Sequence, residues 1–214
     1  MKQGHPDYIV VEGPIGVGKT TLAKRLAKTF DTELMLELAA ENPFLPRFYS
    51  DPKSVALPTQ LFFLFQRAKQ LEALRQTDMF KSVQVSDFLI EKDKLFASVT
   101  LDDDELALYH QVYDRLTLDS PVPDLVIYLQ APIDILMQRI IERGHDYERP
   151  MNRNYLKKIS DTYVEFFYHY TTAPLLIVNT NDFDLSGNDR DYNLLLEHIK
   201  HLPPGRHYFN PIEL

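Results

Sequence analysis

Tyr8-Ile9-Val10-Val11-Glu12 leads into Gly13-Pro14-Ile15-Gly16-Val17-Gly18-Lys19-Thr20, and that loop into Thr21-Leu22-Ala23-Lys24-Arg25-Leu26-Ala27. The order is an apolar strand, a G-x-x-x-x-G-K-T loop and an amphipathic helix, which is how a backbone cradle for phosphate is built. Its glycines let backbone N–H groups converge on phosphate oxygens without Cβ clashes. The helix that follows presents free N–H groups and the positive end of its dipole to the same anion. Lys19 adds a mobile cation for the outer phosphates, and the Thr20 hydroxyl is a ligand for Mg²⁺. A chance glycine-rich turn is the competing explanation, and both flanks weigh against it. The stretch predicts a nucleoside triphosphate site formed by Gly13, Gly16, Gly18, Lys19, Thr20 and Thr21.

Outward from this loop, strand-like apolar runs recur at Tyr8 to Glu12, Leu34 to Leu38, Val83 to Ser86, Leu125 to Leu129 and Leu175 to Asn179. Helical patterns lie between and after them, at Thr21 to Phe30, Leu57 to Gln76, Asp102 to Leu118, Ile133 to Arg143, Asn154 to Tyr170 and Asp191 to His201. Alternation of this kind predicts an α/β fold, a five-stranded parallel sheet with helices on both faces and ligands at the carboxyl ends of the strands. Pro43 and Pro58 read as residues at or near helix starts, and Pro203 and Pro204 as the end of the last helix. The segment Gly205 to Leu214 reads as a surface strap.

A chain of 214 residues with 44% hydrophobic and 25% charged residues fits one globular α/β domain over 1–214. No apolar run approaches the ~20 residues that span a bilayer, and the first residues lack a signal-peptide core. The absence of cysteine excludes disulfides and thiolate metal sites and is compatible with a cytoplasmic protein. A net charge of −8 argues against nucleic-acid binding, and no membrane partner is expected. The seven histidines show no metal-ligating spacing.

Several residues carry chemistry beyond the loop. Glu37, at the carboxyl end of the second strand, suits a general base for a hydroxyl that accepts phosphate; alone it would read as a loop glutamate. Gln60 and Arg67 share one helical face near Phe62, Phe63 and Phe65, which suits a heterocyclic base edge held between rings. The rings by themselves would read as core packing. Tyr49 suits a sugar hydroxyl or, equally, a packed loop. Arg139, Arg143, Arg149 and Arg153 surround Gly144-His145-Asp146-Tyr147-Glu148, an arginine-rich stretch like a lid that closes on a triphosphate. Asp102-Asp103-Asp104-Glu105 reads as a helix N-terminus only.

With these residues in view, the chain resembles the deoxyribonucleoside kinase family, nearest to its bacterial purine-type members. The likeness runs from about Tyr8 to Asp184. It covers Glu12 to Thr20, Glu37 to Leu45 with Asn42-Pro43-Phe44, Phe48-Tyr49-x-Asp51-Pro52, and Pro58-Thr59-Gln60 with Arg67. It continues through Phe96-Ala97, Arg139-x3-Arg143-Gly144 with Glu148, and Val178-Asn179 with Asp182-Phe183. The resemblance implies γ-phosphoryl transfer from ATP–Mg²⁺ to the 5′-hydroxyl of a deoxyribonucleoside. It implies Glu37 as the base, Tyr49 and Glu148 on the deoxyribose 3′-hydroxyl, and Gln60 and Arg67 on the nucleobase. Arg139 and Arg143 would lie on the donor phosphates and Asp182-Phe183 beside the donor adenine. A homodimer through the helices near Leu57 to Gln76 and Asp102 to Leu118 is also implied.

The chain departs from the family at its acid-Arg-Ser/Thr motif, where it reads Val85-Ser86-Asp87-Phe88. Asp87 falls on the arginine in one register and on the acid in the other; in both the arginine is absent. Asp87 is a candidate for the Mg²⁺ shell. His145 stands where many members carry a third lid arginine, and Lys92 where an acidic base-contact residue is usual. Two alternatives follow: a kinase of the same fold acting on another small hydroxyl compound, and a nucleotide-binding regulator without turnover.

Overall fold

In a computed structural model, which describes residues 6–76, 84–117, 119–181, 183, 185 and 188–210, six strands form one parallel sheet. They are β1 (Tyr8–Glu12), β2 (Glu33–Met35), β3 (Gln84–Ser86), β4 (Leu125–Gln130), β5 (Leu175–Asn179) and β6 (Arg206–Phe209), in the order β2-β3-β1-β4-β5-β6. The eight α-helices of the described residues are α1 (Lys19–Phe30), α2 (Leu45–Phe48), α3 (Pro52–Gln76), α4 (Lys92–Thr100), α5 (Asp103–Leu116), α6 (Ile133–Arg143), α7 (Arg153–His169) and α8 (Asp189–Lys200).

Alternation along β1 explains the layering. Ile9 and Val11 face a core with Leu22, Leu26, Leu136 and Leu195, whereas Tyr8 and Val10 face one with Ile159, Tyr163 and Phe167. A strand buried on both faces reads as an unbroken apolar run, as β1 and β4 do. Each such side chain contributes about 1.5–3 kcal/mol by leaving water. Tyr128 of β4 stacks on Phe167 of α7 with ring centroids 4.2 Å apart, fixing that helix to its face of the sheet. In register, Val10 lies beside both Ser86 and Val126, so the residues after β1, β3 and β2 emerge at one edge. Phosphate loop, Asp87 and Glu37 meet there.

The five expected strands are all present, and β6 adds a sixth. It was expected as a strap. Instead, Arg206 donates to the carbonyls of Tyr168 (2.9 Å) and Tyr170 (3.1 Å), and β6 runs parallel to β5. Pro58 does not start a helix; it lies inside α3, whose first residue is Pro52. Proline at a first helical position fits, because the N–H it lacks has no partner in that turn. The sequence reading also passed over α4. The starts of β3 at Val83 and the helix end at Leu118, as expected from sequence, fall outside the described residues.

Candidate active site

The phosphate loop is held by one buried carboxylate. Glu12 Oε1 accepts from the Gly13 N–H (2.8 Å) and the Tyr163 hydroxyl (2.9 Å), and Oε2 from the Leu89 N–H (2.8 Å). The Gly13 N–H is therefore directed at Glu12 and not at a phosphate. Gly13 is required for packing: its φ is +147° and an added Cβ would lie 2.5 Å from the Leu129 carbonyl oxygen. At Gly16 (φ +84°), a Cβ would meet Ile140 and the Leu136 carbonyl of α6 at 2.8 Å, so the loop lies directly on that helix. Lys19 Nζ donates to the carbonyls of Gly13 (2.8 Å) and Pro14 (3.2 Å), folded over its own loop. Burial, with the nearby Lys92 charge, lowers its pKa to about 8. A triphosphate would reverse that shift by supplying negative charge.

Two cavities open beside the loop. One of about 860 Å³ runs past Gly16, Gly18, Lys19, Thr20 and Thr21 to Arg139, Thr180, Asn181 and Phe183. The other, of about 360 Å³, is lined by Glu37, Tyr49, Gln60, Arg67, Asp87, Lys92 and Glu148 among others. They share Gly16, Lys19, Thr20, Arg143 and His145. This shared wall is what a group passing from one bound molecule to another needs.

In the smaller cavity the Asp87 carboxylate accepts from the Thr20 hydroxyl (2.5 Å) and from the Glu37 N–H (2.7 Å). Asp87 thus joins the end of the phosphate loop to the segment after β2. Phe88 is fully buried in the core under α3. Glu37 is gripped by two cations, Arg67 at Oε1 and Lys92 at Oε2, the latter at 2.5 Å. Burial acts to raise its pKa; Arg67 first and then Lys92 overcome that and hold the carboxyl far below the usual range. Arg67 also pairs with the fully buried Asp93. Its guanidinium lies 5.0 Å from the Phe63 ring centre and 5.8 Å from that of Phe88. Gln60 is buried and donates to the Thr100 hydroxyl (3.2 Å), leaving its carbonyl free to accept. Tyr49 packs edge-on to Phe48 and Tyr155, and burial raises its pKa well above the ordinary value. Asn42 is scaffold: it donates to the Thr59 carbonyl (3.2 Å) and accepts from the Phe44 N–H (3.0 Å).

The arginine-rich stretch is less uniform than its sequence. Arg139 does not project from a lid; it donates to the carbonyls of Val17 (3.3 Å) and Thr180 (2.9 Å) and to the Thr180 hydroxyl (3.1 Å). It is a brace between the loop and the end of β5 that also lines the larger cavity. Arg143 lines both cavities and pairs with Glu148 through two bonds of 3.1 and 2.5 Å. Arg149 pairs with Asp146 and Arg153 with Asp134, both exposed. His145 stacks on Tyr147 with ring centroids 5.2 Å apart. Phe183 is buried at the larger cavity against Phe209; Asp182 lies outside the described residues.

Sequence reasoning passed over Glu12 as a clamp, Asp93 as the partner of Arg67, and Thr180 as the anchor of Arg139. Only for Glu12 was there a signal, an acid immediately before the loop glycine. Among the described residues no three His, Asp or Glu cluster as a metal site. Mg²⁺ binds through one or two protein oxygens together with phosphates. Thr20 and Asp87 offer such a pair.

The deoxynucleoside kinase family model matches residues 9–203. A deoxyguanosine kinase of Bacillus subtilis (strain 168) is 36% identical over 200 residues, spanning 91% of this chain and 97% of its own. The deoxyadenosine/deoxycytidine kinase of the same organism is 27% identical, over 93% of this chain and 95% of its own. Among solved structures, deoxyadenosine kinase from M. mycoides with bound dATP superposes with a TM-score of 0.79 at 24% identity, covering 90% of this chain and 98% of its own.

Proposed function

The chain belongs to the deoxynucleoside kinase family, and from that premise we propose that its joined cavities carry the γ-phosphoryl group of ATP to the 5′-hydroxyl of a deoxyribonucleoside. The observation that carries this reading is the shared wall. Lys19, Thr20 and Arg143 border both cavities, with a carboxylate, Glu37, on the acceptor side alone. ATP occupies the larger cavity, its phosphates on Gly16, Gly18, Lys19, Thr20 and Thr21, its adenine toward Phe183, and Arg139 beneath. Thr20 and Asp87 hold Mg²⁺, which neutralises phosphate charge when bound. The nucleoside lies in the smaller cavity. Gln60 and Arg67 take the base edge, Tyr49 and Glu148 the 3′-hydroxyl, and Glu37 the proton of the 5′-hydroxyl. Arg143 stabilises the transferring group by exchanging part of its bond to Glu148 for phosphate oxygens. Product formation serves nucleotide salvage.

The Bacillus deoxyguanosine kinase shares more residues with this chain than the deoxyadenosine/deoxycytidine kinase of that organism, which supports deoxyguanosine as the first acceptor to test. We also propose one domain over 1–214 that acts as a cytoplasmic homodimer through α3 and α5. Exposed Phe65 and Leu116 on one groove between those helices support the dimer, and no helix among the described residues is long and apolar enough to cross a membrane. Glu37, as a group that takes a proton, would have no use in a regulator without turnover.

Gln60 provides the test of the acceptor. Leaving a buried polar partner unpaired costs about 1–3 kcal/mol, roughly 5- to 150-fold in affinity. Gln60→Leu should raise KM for the nucleoside by that factor, unequally for purines and pyrimidines, and leave KM for ATP nearly unchanged. If no deoxynucleoside competes with the phosphate acceptor in wild-type or variant, the acceptor is another hydroxyl compound. Asp87→Asn, in turn, should raise the Mg²⁺ concentration needed for half-maximal rate. An unchanged Mg²⁺ dependence would reduce Asp87 to the tie between Thr20 and Glu37.

A further inference from the structure

The family's arginine after the third strand is absent here, yet the acceptor cavity is not short of positive charge. Two carboxylates, Glu37 and Asp93, face two cations, Arg67 and Lys92. The two cations are differently placed. Arg67 has both carboxylates as partners and lies against the rings of Phe63 and Phe88, so its planar fork is fixed. Lys92, at the first turn of α4, is 4% exposed and has Glu37 as its ion-pair partner. Its ammonium ends a flexible four-carbon stem and can change partners. It also lines the acceptor cavity and lies near enough to Lys19 for the two charges to repel.

We propose that Lys92 is a catalytic residue that passes from Glu37 to the transferred phosphoryl group, supplying from α4 a cation to the charge that develops there. The inference rests on the reading of the smaller cavity as the nucleoside site. In the step, the bond between the 5′-oxygen and the γ-phosphorus forms as the bond from γ-phosphorus to the β,γ-bridging oxygen breaks. ADP leaves, and the hydroxyl proton goes to Glu37. Lys92 has Glu37 as its ion-pair partner, whereas Arg67 also holds Asp93 and stays in place. The ammonium is released as phosphate charge arrives beside it.

A merely structural lysine would affect nucleoside and product alike, so the test compares them. Dissociation constants of deoxyguanosine and deoxyguanosine 5′-monophosphate are measured by calorimetry on wild-type, Lys92→Met and Lys92→Arg protein. Lys92→Met should weaken the monophosphate about tenfold or more while deoxyguanosine stays within threefold, since a charge-assisted bond is lost only from the phosphate. Lys92→Arg should restore most of the difference. Should Lys92→Met not fold, Lys92→Gln, which still donates to Glu37, should show the same selective loss. Parallel changes in the two affinities, or no change in either, overturn the inference and leave the kinase reading standing. Wild-type protein that binds no deoxyribonucleoside and no deoxynucleoside 5′-monophosphate overturns both.

Discussion

Glu37→Gln is expected to lower kcat by about 10²–10⁴-fold, the usual cost of a positioned base, with KM for ATP little changed. The amide keeps the shape of the carboxylate, and the Glu37 N–H still bonds to Asp87. What it loses is the capacity to take a proton and the charge that balances Lys92, while Arg67 keeps Asp93 as a partner. Arg67 and Lys92 hold the Glu37 carboxyl in its charged form, the form the proposed base needs. Steady-state kinetics with ATP and deoxyguanosine held in turn at saturation would check it. If kcat stayed within a factor of two, another group would be the base.

Lys19→Ala should abolish turnover, by at least about 10²–10³-fold, the range seen when one preorganised donor is removed from a developing charge. The protein should fold as before, because Lys19 bonds only to the carbonyls of Gly13 and Pro14 in its own loop. Removing an amino group whose pKa burial has already lowered also relieves a buried charge, so the variant should be no less stable to heat. Circular dichroism on melting, run beside the kinetic assay, separates loss of chemistry from loss of fold. Turnover near wild-type would refute the assignment of the phosphate loop.

These predictions draw unequally on sequence and structure. The donor half was legible because it is local: strand, loop and helix follow one another within Tyr8–Phe30, and each carries its own pattern. α6 was legible for the same reason, ending at Gly144 with φ +72°. The acceptor half brings together residues from segments far apart in the chain, such as Glu37 with Lys92 and Thr20 with Asp87. No local pattern announces those pairs, and only the resemblance pointed to most of them. α4 was hidden because Lys92 and Asp93 look like a solvated helix start, whereas both are buried by their partners Glu37 and Arg67. Arg139 misled for a related reason: two arginines one turn apart look alike, and only the Val17 and Thr180 oxygens distinguish the brace from the lid. β6 follows a Pro-Pro-Gly turn and alternates too briefly to register as a strand, although pairing with β5 makes it one.

The central claim is that phosphoryl groups cross from the loop to a deoxyribonucleoside held by Glu37 and Arg67. The most direct measurement incubates the wild-type protein with γ-labelled ATP, Mg²⁺ and each deoxyribonucleoside, and follows the label and ADP together. The account predicts label in a deoxynucleoside 5′-monophosphate, equimolar with ADP and lost in Glu37→Gln. ADP released without label in any nucleoside, or no ADP with any of them, would contradict it.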